Sequence, residues 1–309
     1  MTESRTVVPP ADRPGSPFTL ESTRITLLRA CARVGLDPSN ARLIRLGENT
    51  VYRLASPVIA RIGRTTTYAD DARKKVAVAD WLATEGFPSV RALPLDQPLI
   101  VNGRVVTFWE SISEIEDHAS PAELGTLLAR LHTMKAPAGL RLPSLEPFAR
   151  VEQRIAGNDW FSPQDSSFLR ERLVQLREEY AALSFELPQG VIHGDSSVGN
   201  VIRDRTGRPV LLDLDGFALG PREWDLVLTA VYYDRFGWHT AQEYDAYTQA
   251  YSFDVMRWPG YRVLGDIREF LMVTWLSQKA DQDEQAAAEV RKRIRTLRTG
   301  ADRRDWQPC

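Results

Sequence analysis

Two cysteines and four histidines are all that 309 residues supply in the way of thiolate and imidazole metal ligands. Cys31 lies within a run of helical spacing and Cys309 is the last residue, so neither a disulfide framework nor a cysteine metal site is expected, which fits a reducing cytoplasm. Long apolar runs are missing too, and with them any stretch able to span a bilayer. Nor is there an excess of one charge: 39 Lys and Arg against 41 Asp and Glu leave −2. Without a whole-molecule basic field, nucleic acid and anionic membranes are not the expected partners. No internal repeat is visible. What remains is an ordinary globular composition, 43% hydrophobic and 26% charged, in a chain long enough for one large domain or two lobes.

The opening "MTESRTVVPPADRPGSP" is polar and proline-rich, without the charged start and apolar core of a signal peptide, so residues 1–17 are expected to be a disordered tail. From Thr19, "TLESTRITLLRACARVGL" has helical spacing, with Gly35 as its stop. "ARLIRL", "TVYRLA" and "PVIARI" are short, apolar and β-branched, and predict three antiparallel strands. A helix around "DDARKKVAVADWLATEG" comes next, then a hairpin, "LIVNG" and "RVVTFWE", turning at Asn102-Gly103. After Glu110 helical patterns dominate, several opened by Ser, Asp or Pro, among them "SPAELGTLLARLHTMK", "REWDLVLTAVYYDRF" and "DIREFLMVTWLSQKA". The expected fold class is therefore α+β, with a small antiparallel sheet first and a mostly helical remainder.

One stretch interrupts the helices, "VIHGDSSVGNVIRDRTGRPVLLDLDG", Val191 to Gly216. A turn centred on Thr206-Gly207 would pair Val201 with Leu212 and Ile202 with Leu211, leaving Asn200 and Asp213 opposite each other, roughly 5 Å apart. An amide oxygen and a carboxylate there form a hard-oxygen site suited to magnesium, which takes few protein ligands and leaves room for phosphate oxygens and water. Asp195 lies on the loop entering the same end, free to act as a base. Singly, such residues are more often caps and turns than ligands; the joint spacing argues for a site.

Asp-x-x-x-x-Asn followed by a hairpin and another Asp is the spacing of the protein-kinase catalytic loop and its metal aspartate. In the form "HGDSSVGN", followed by "DLDGFALGPREWD" with Asp213, Gly220 and Asp225 at matching offsets, it resembles the aminoglycoside phosphotransferase and choline kinase family. The resemblance is densest from Gln189 to Leu226, and "GTLLARLHTMK" and the order of the first strands extend it over most of the chain after Thr19. It implies a two-lobed protein-kinase-like fold, with residues 18–108 as a nucleotide-binding lobe and 109–309 as a helical lobe carrying the catalytic loop and acceptor site. It also implies transfer of the γ-phosphate of ATP or GTP, with Mg2+, to a hydroxyl of a small molecule, an aminoglycoside or related sugar or antibiotic being the first guess.

The roles carry over residue by residue. Asp195 is implied as the base, Asn200 and Asp213 as metal ligands, and His193 and Asp225 as structural support; Asp215 is a further candidate beside the metal. In the first lobe, Gly47 and Asn49 of "RLGENTVYRL" fall in the turn over the nucleotide phosphates. Arg61 falls at the position of the phosphate-binding cation, and Glu110 to Ile112 in the hinge whose backbone would meet a purine. The family usually orients its cation with a Glu on the next helix; here that frame holds Lys75, leaving Asp70, Asp71 or Asp80 to substitute, or Arg61 to act unaided. A kinase of another alcohol or of a peptide Ser or Thr, and a pseudokinase that binds nucleotide without transfer, are the rival readings. A Ser-His-Asp hydrolase is disfavoured because "HGDSS" lacks the Gly-x-Ser-x-Gly elbow. His118, His132 and His239 lack metal-ligand spacing and are expected at the surface or in packing. The aromatics of "VYYDRFGW" and "YDAYTQAYSF" are expected mostly in the core, with a few, or Asp234 or Asp254, lining the acceptor pocket. The basic end "EVRKRIRTLRTGADRR" is expected to be a solvated helix face.

Overall fold

The structure, a computed structural model, describes residues 18–308 apart from residues 48 and 56, so the expected tail and Cys309 lie outside the described residues. By internal packing the chain divides into two units. Of the described residues, the first holds those up to 117 together with 136–141 and 202–215; the second holds 118–135, 142–201 and those from 216 to 308.

In the first unit, α1 (Leu20–Val34) opens with a capping box between Thr19 and Ser22 and closes on Gly35, whose φ of +74° suits glycine. Then come β1 (Arg42–Leu46), β2 (Asn49–Arg53), β3 (Val58–Gly63), α2 (Ala69–Thr84), β4 (Leu99–Val101) and β5 (Arg104–Glu110). The strands form one antiparallel sheet in the order β1-β2-β3-β5-β4. Both residues of the β4–β5 turn have positive φ, Asn102 at 52° and Gly103 at 70°, as the Asn-Gly pair predicts. Leu27, Ala30 and Cys31 of α1 pack with Tyr52, Ala60, Ile62, Val106 and Phe108 of the sheet in one core. Burial pushes the Cys31 thiol up to about 11, so it is an inert packing group.

The second unit begins its helices with α3 (Pro121–Leu131), opened by a Ser120–Glu123 capping box, and continues with α4 (Val151–Ala156) and α5 (Pro163–Ala181). In chain order the short strands β6 (Gly190–Ile192), β7 (Val201–Arg203), β8 (Pro209–Leu211) and β9 (Ala218–Gly220) follow, of which β6 and β9 lie in the second unit. The chain ends in α6 (Glu223–Asp234), α7 (Ala241–Tyr251), α8 (Tyr261–Leu276) and α9 (Glu284–Thr299). α3 and α7 approach so closely that a Cβ on Gly125 would lie 2.8 Å from the Tyr247 carbonyl oxygen. No helix among the described residues is long and apolar enough to cross a membrane.

Three features depart from the sequence reading. α4, with six residues, is too short to leave a periodic signal. β9 was not expected either, yet it pairs antiparallel with β6, Val191 opposite Leu219. The β7–β8 turn also differs: the Gly207 N–H donates to the Asp204 carbonyl (2.9 Å) and the Asp204 N–H to the Arg208 carbonyl (2.8 Å), with Gly207 at φ +82°. The turn thus centres on Arg205-Thr206 followed by a left-handed glycine, which sets Ile202 opposite Val210 rather than Leu211. The extra turn residue shifts the pairing by one position. Through Leu211, whose backbone bonds Pro88 and Val90, this hairpin belongs to the first unit.

Candidate active site

The loop after β6 is built around one buried carboxylate. Asp225, on the first turn of α6, is fully buried and accepts the His193 N–H at Oδ2 (2.6 Å) and the Gly194 N–H at Oδ1 (2.8 Å). His132 places Nε2 3.0 Å from the same Oδ2, and its Nδ1 lies 2.7 Å from the Tyr251 hydroxyl. The Ser196 hydroxyl donates to the Asp225 backbone carbonyl. Burial pushes the Asp225 carboxyl up, but the His132 hydrogen bond, with the charges of His132 and His193, outweighs it and holds the group below the usual carboxylate range. His193 and Asp225 thus sit as a structural pair under the loop. His132, expected only at the surface or in packing, is in fact a third member at 1% exposure. It is 93 residues from Asp225 in sequence, so no local spacing could reveal it.

Gly194 takes φ +86°, and a Cβ there would lie 2.2 Å from the Gly216 carbonyl oxygen. Two backbone segments therefore touch at this point, and only glycine fits. The next residue, Asp195, carries its carboxylate outward at 61% side-chain exposure. Its backbone carbonyl accepts the Asn200 side-chain amide at 2.7 Å. That commits the nitrogen of Asn200 and leaves its oxygen as the group available to a cation. Sequence reasoning missed Arg268 on α8, whose buried guanidinium stands 3.7 Å from Asp195 Oδ1.

In the first unit the nucleotide-site candidates fall around the sheet. Gly47 lies in the β1–β2 turn, where its N–H donates to the Asn49 carbonyl (3.1 Å) and its own carbonyl accepts from Arg64 (2.9 Å). Asn49 starts β2, opposite Gly63. Arg61, on β3 opposite Val51, has Nη2 4.0 Å from Asp215 Oδ2. Lys75 Nζ lies 2.6 Å from Asp215 Oδ1, and Lys74 Nζ donates to the Asp215 carbonyl at 2.7 Å. So the carboxylate beside Arg61 comes from Asp215, not from α2, where Asp70 pairs instead with Arg73. Burial raises the Asp215 carboxyl, and Arg61 and Lys75 more than compensate, holding it below the usual range. Asp213, two residues earlier, takes φ +48°, an uncommon backbone state for a non-glycine residue. At the expected hinge, the Glu110 N–H donates to the Arg91 carbonyl and the Ser111 N–H to the Pro57 carbonyl (2.9 and 2.8 Å). These two donors are committed within the first unit.

No three His, Cys, Asp or Glu side chains gather as a metal cage among the described residues. Taken singly, the Asn200 side-chain oxygen and the Asp213 carboxylate are hard oxygen donors of the kind magnesium accepts beside phosphates and water.

A five-stranded antiparallel sheet with its helix, and a helical unit whose short strands carry a His-Gly-Asp loop, define an α+β protein of the protein-kinase-like class. That fold is shared by three solved structures. The amicoumacin kinase hAmiN, in complex with AMP-PNP, Ca2+ and Ami, matches with a TM-score of 0.71 at 13% identity, over 93% of this chain and 97% of that one. The choline kinase LicA from Streptococcus pneumoniae matches at 0.62 and 15%, over 90% and 99%. The spectinomycin phosphotransferase APH(9)-Ia, in complex with ADP and spectinomycin, matches at 0.62 and 16%, over 87% and 93%. Residues 41–265 match the model of the phosphotransferase enzyme family, and the chain belongs to that family. A probable ketoamine kinase of Lactiplantibacillus plantarum is 34% identical over 92 residues, a match that spans 30% of this chain and 30% of that relative's length.

Proposed function

We propose that this protein moves the γ-phosphate of ATP or GTP, with magnesium, onto a hydroxyl of a small molecule. The observation that carries the reading is the Asp195 loop: an outward carboxylate at the tip of a backbone held by the buried Asp225. Phosphoryl transfer needs positioned groups and charge compensation more than a covalent enzyme intermediate. Asp195 orients the acceptor hydroxyl and takes its proton. Arg61 holds phosphate oxygens, and the Gly47–Asn49 turn covers them. Asn200 and Asp213 hold the cation, which when bound neutralises charge on the phosphates. Glu110 to Ile112 read the base through backbone groups. The first unit is thus the nucleotide lobe and the second the acceptor lobe.

An aminoglycoside or a related sugar or antibiotic is the first acceptor class, a reading supported by the spectinomycin phosphotransferase and the amicoumacin kinase that share the fold and by the partial match to a ketoamine kinase. Calorimetric titration of ATP and of GTP, with and without magnesium, into wild type and Asp213→Ala tests the nucleotide half. Magnesium-dependent binding that disappears in the variant is expected; binding that is equal in both proteins would refute the assignment of Asp213. Phosphorylation assays with kanamycin, spectinomycin, choline, a fructosyl-lysine and a Ser/Thr peptide test the acceptor half. Phosphate on the peptide alone would overturn the small-molecule reading.

A further inference from the structure

Arg268, on α8 and 6% exposed, belongs to no motif of the sequence, yet its hydrogen bonds and its ion pair run to the Asp195 loop and to Trp224. Its Nη2 donates to the carbonyl oxygens of Gly194 (3.3 Å) and Trp224 (3.2 Å). Trp224 Nε1 donates to the same Gly194 carbonyl at 2.8 Å, and the guanidinium lies over the Trp224 ring, 4.2 Å from its centroid. Nη1 faces the Asp195 carboxylate at 3.7 Å. Nε is buried without a hydrogen-bond partner.

A guanidinium taken out of water and left with a bare N–H is an expensive group, and breaking even its incomplete pairing leaves a charge stranded. Two long hydrogen bonds to neutral carbonyls return little of that cost. Anchoring the loop backbone alone would not require a charge, since the Trp224 indole already bonds the Gly194 carbonyl. The carboxylate at ion-pair distance from the guanidinium is Asp195, with the buried Asp225 acting on it from farther away. We propose that Arg268 is a positioning residue for phosphoryl transfer: it locks the Gly194 carbonyl against Trp224 and fixes the direction of the Asp195 carboxylate by a buried positive charge behind it. The proposal rests on the reading of Asp195 as the base. At 61% exposure the Asp195 side chain would otherwise sample several rotamers, and a base displaced by about 1 Å can lose about 100-fold in rate.

The test uses the full chain as Arg268→Lys, Arg268→Met and Arg268→Ala. Hydrogen exchange followed by mass spectrometry is expected to show faster exchange in peptides covering residues 190–200 of the Met variant, with α3 and α7 protected as in wild type. With MgATP and either water or the acceptors named above, kcat is expected to fall about 100-fold in Arg268→Met while KM for ATP stays within about twofold. Arg268→Lys should keep an intermediate rate, because the charge remains and the fork is lost, and added guanidinium at a non-denaturing concentration should restore part of the Arg268→Ala rate. Wild-type exchange across residues 190–200 in Arg268→Met would overturn the proposal. So would exchange rising equally across every helix, which would make the residue a general stabiliser. If the wild type moves phosphate to neither water nor any acceptor, the exchange measurement still decides the loop assignment, and the failure falls on the functional reading.

Discussion

At the scale of single residues, the site rests on how carboxylates are partnered. Asp195 is exposed and available, and Asp225 is sealed and bonded at both oxygens, so they should respond differently to neutralisation. Asp195→Asn is expected to lower transfer by about 100-fold or more while leaving the melting temperature and MgATP binding near wild type, checked by turnover, melting and calorimetry. Asp225→Asn puts an N–H where two backbone N–H groups already point, and is expected to cost about 3 kcal/mol of stability, read from urea unfolding. Its pH dependence has a definite sign. Asp225 is held below the usual carboxylate range, so its stabilising effect is present above the unfolded value, about 3.9, and fades as the pH drops through the lower folded value. The wild-type urea midpoint should therefore fall as the pH drops below about 4, and Asp225→Asn should show a flatter profile there.

At the scale of elements, two close fits hold the site. Gly194 brings the loop after β6 against Gly216 before β9, at 2.2 Å from a would-be Cβ to a carbonyl oxygen. Gly194→Ala must move one segment. It is expected to reduce both transfer and stability, the latter by more than the about 1 kcal/mol of an unstrained backbone change, measured by turnover and urea midpoint on one preparation. The other fit joins α2 to the end of the β7–β8 hairpin, where Lys75 and Arg61 share Asp215. Lys75→Glu sets a second carboxylate against Asp215 and Asp215→Lys crowds cations, so each single change should destabilise. The double exchange should recover about 1 kcal/mol of the sum, a double-mutant cycle by urea unfolding deciding the point. An additive cycle would mean that the pair is no more than a surface contact.

For the whole molecule, the family match over residues 41–265 covers both the sheet and the His-Gly-Asp loop, so nucleotide binding and transfer are expected of the one chain. Removing magnesium with a chelator is accordingly expected to abolish both transfer and the heat of ATP binding, with restoration on adding the ion back. Retention of binding without the ion would shift weight to the pseudokinase reading.

The sequence by itself determined much of this. α1, the three first strands and the Asn102-Gly103 hairpin follow from capping residues, alternation and turn chemistry that act within a few residues of each other. The loop "HGDSSVGN" was likewise legible, because the spacing of Asp195 and Asn200 is local and their chemistry lies in the side chains themselves. Other features were decided only by the folded chain. The β7–β8 register turned on one extra residue in its turn, the short β9 exists because β6 pairs with it, and Asp215 rather than a carboxylate of α2 became the partner of Arg61. His132 meets Asp225 across 93 residues of chain, and Arg268 meets the Gly194 carbonyl across 74. Contacts across such distances leave no periodicity, since nothing in the chain near His132 or Arg268 states which carboxylate they will meet; packing of the helices states it.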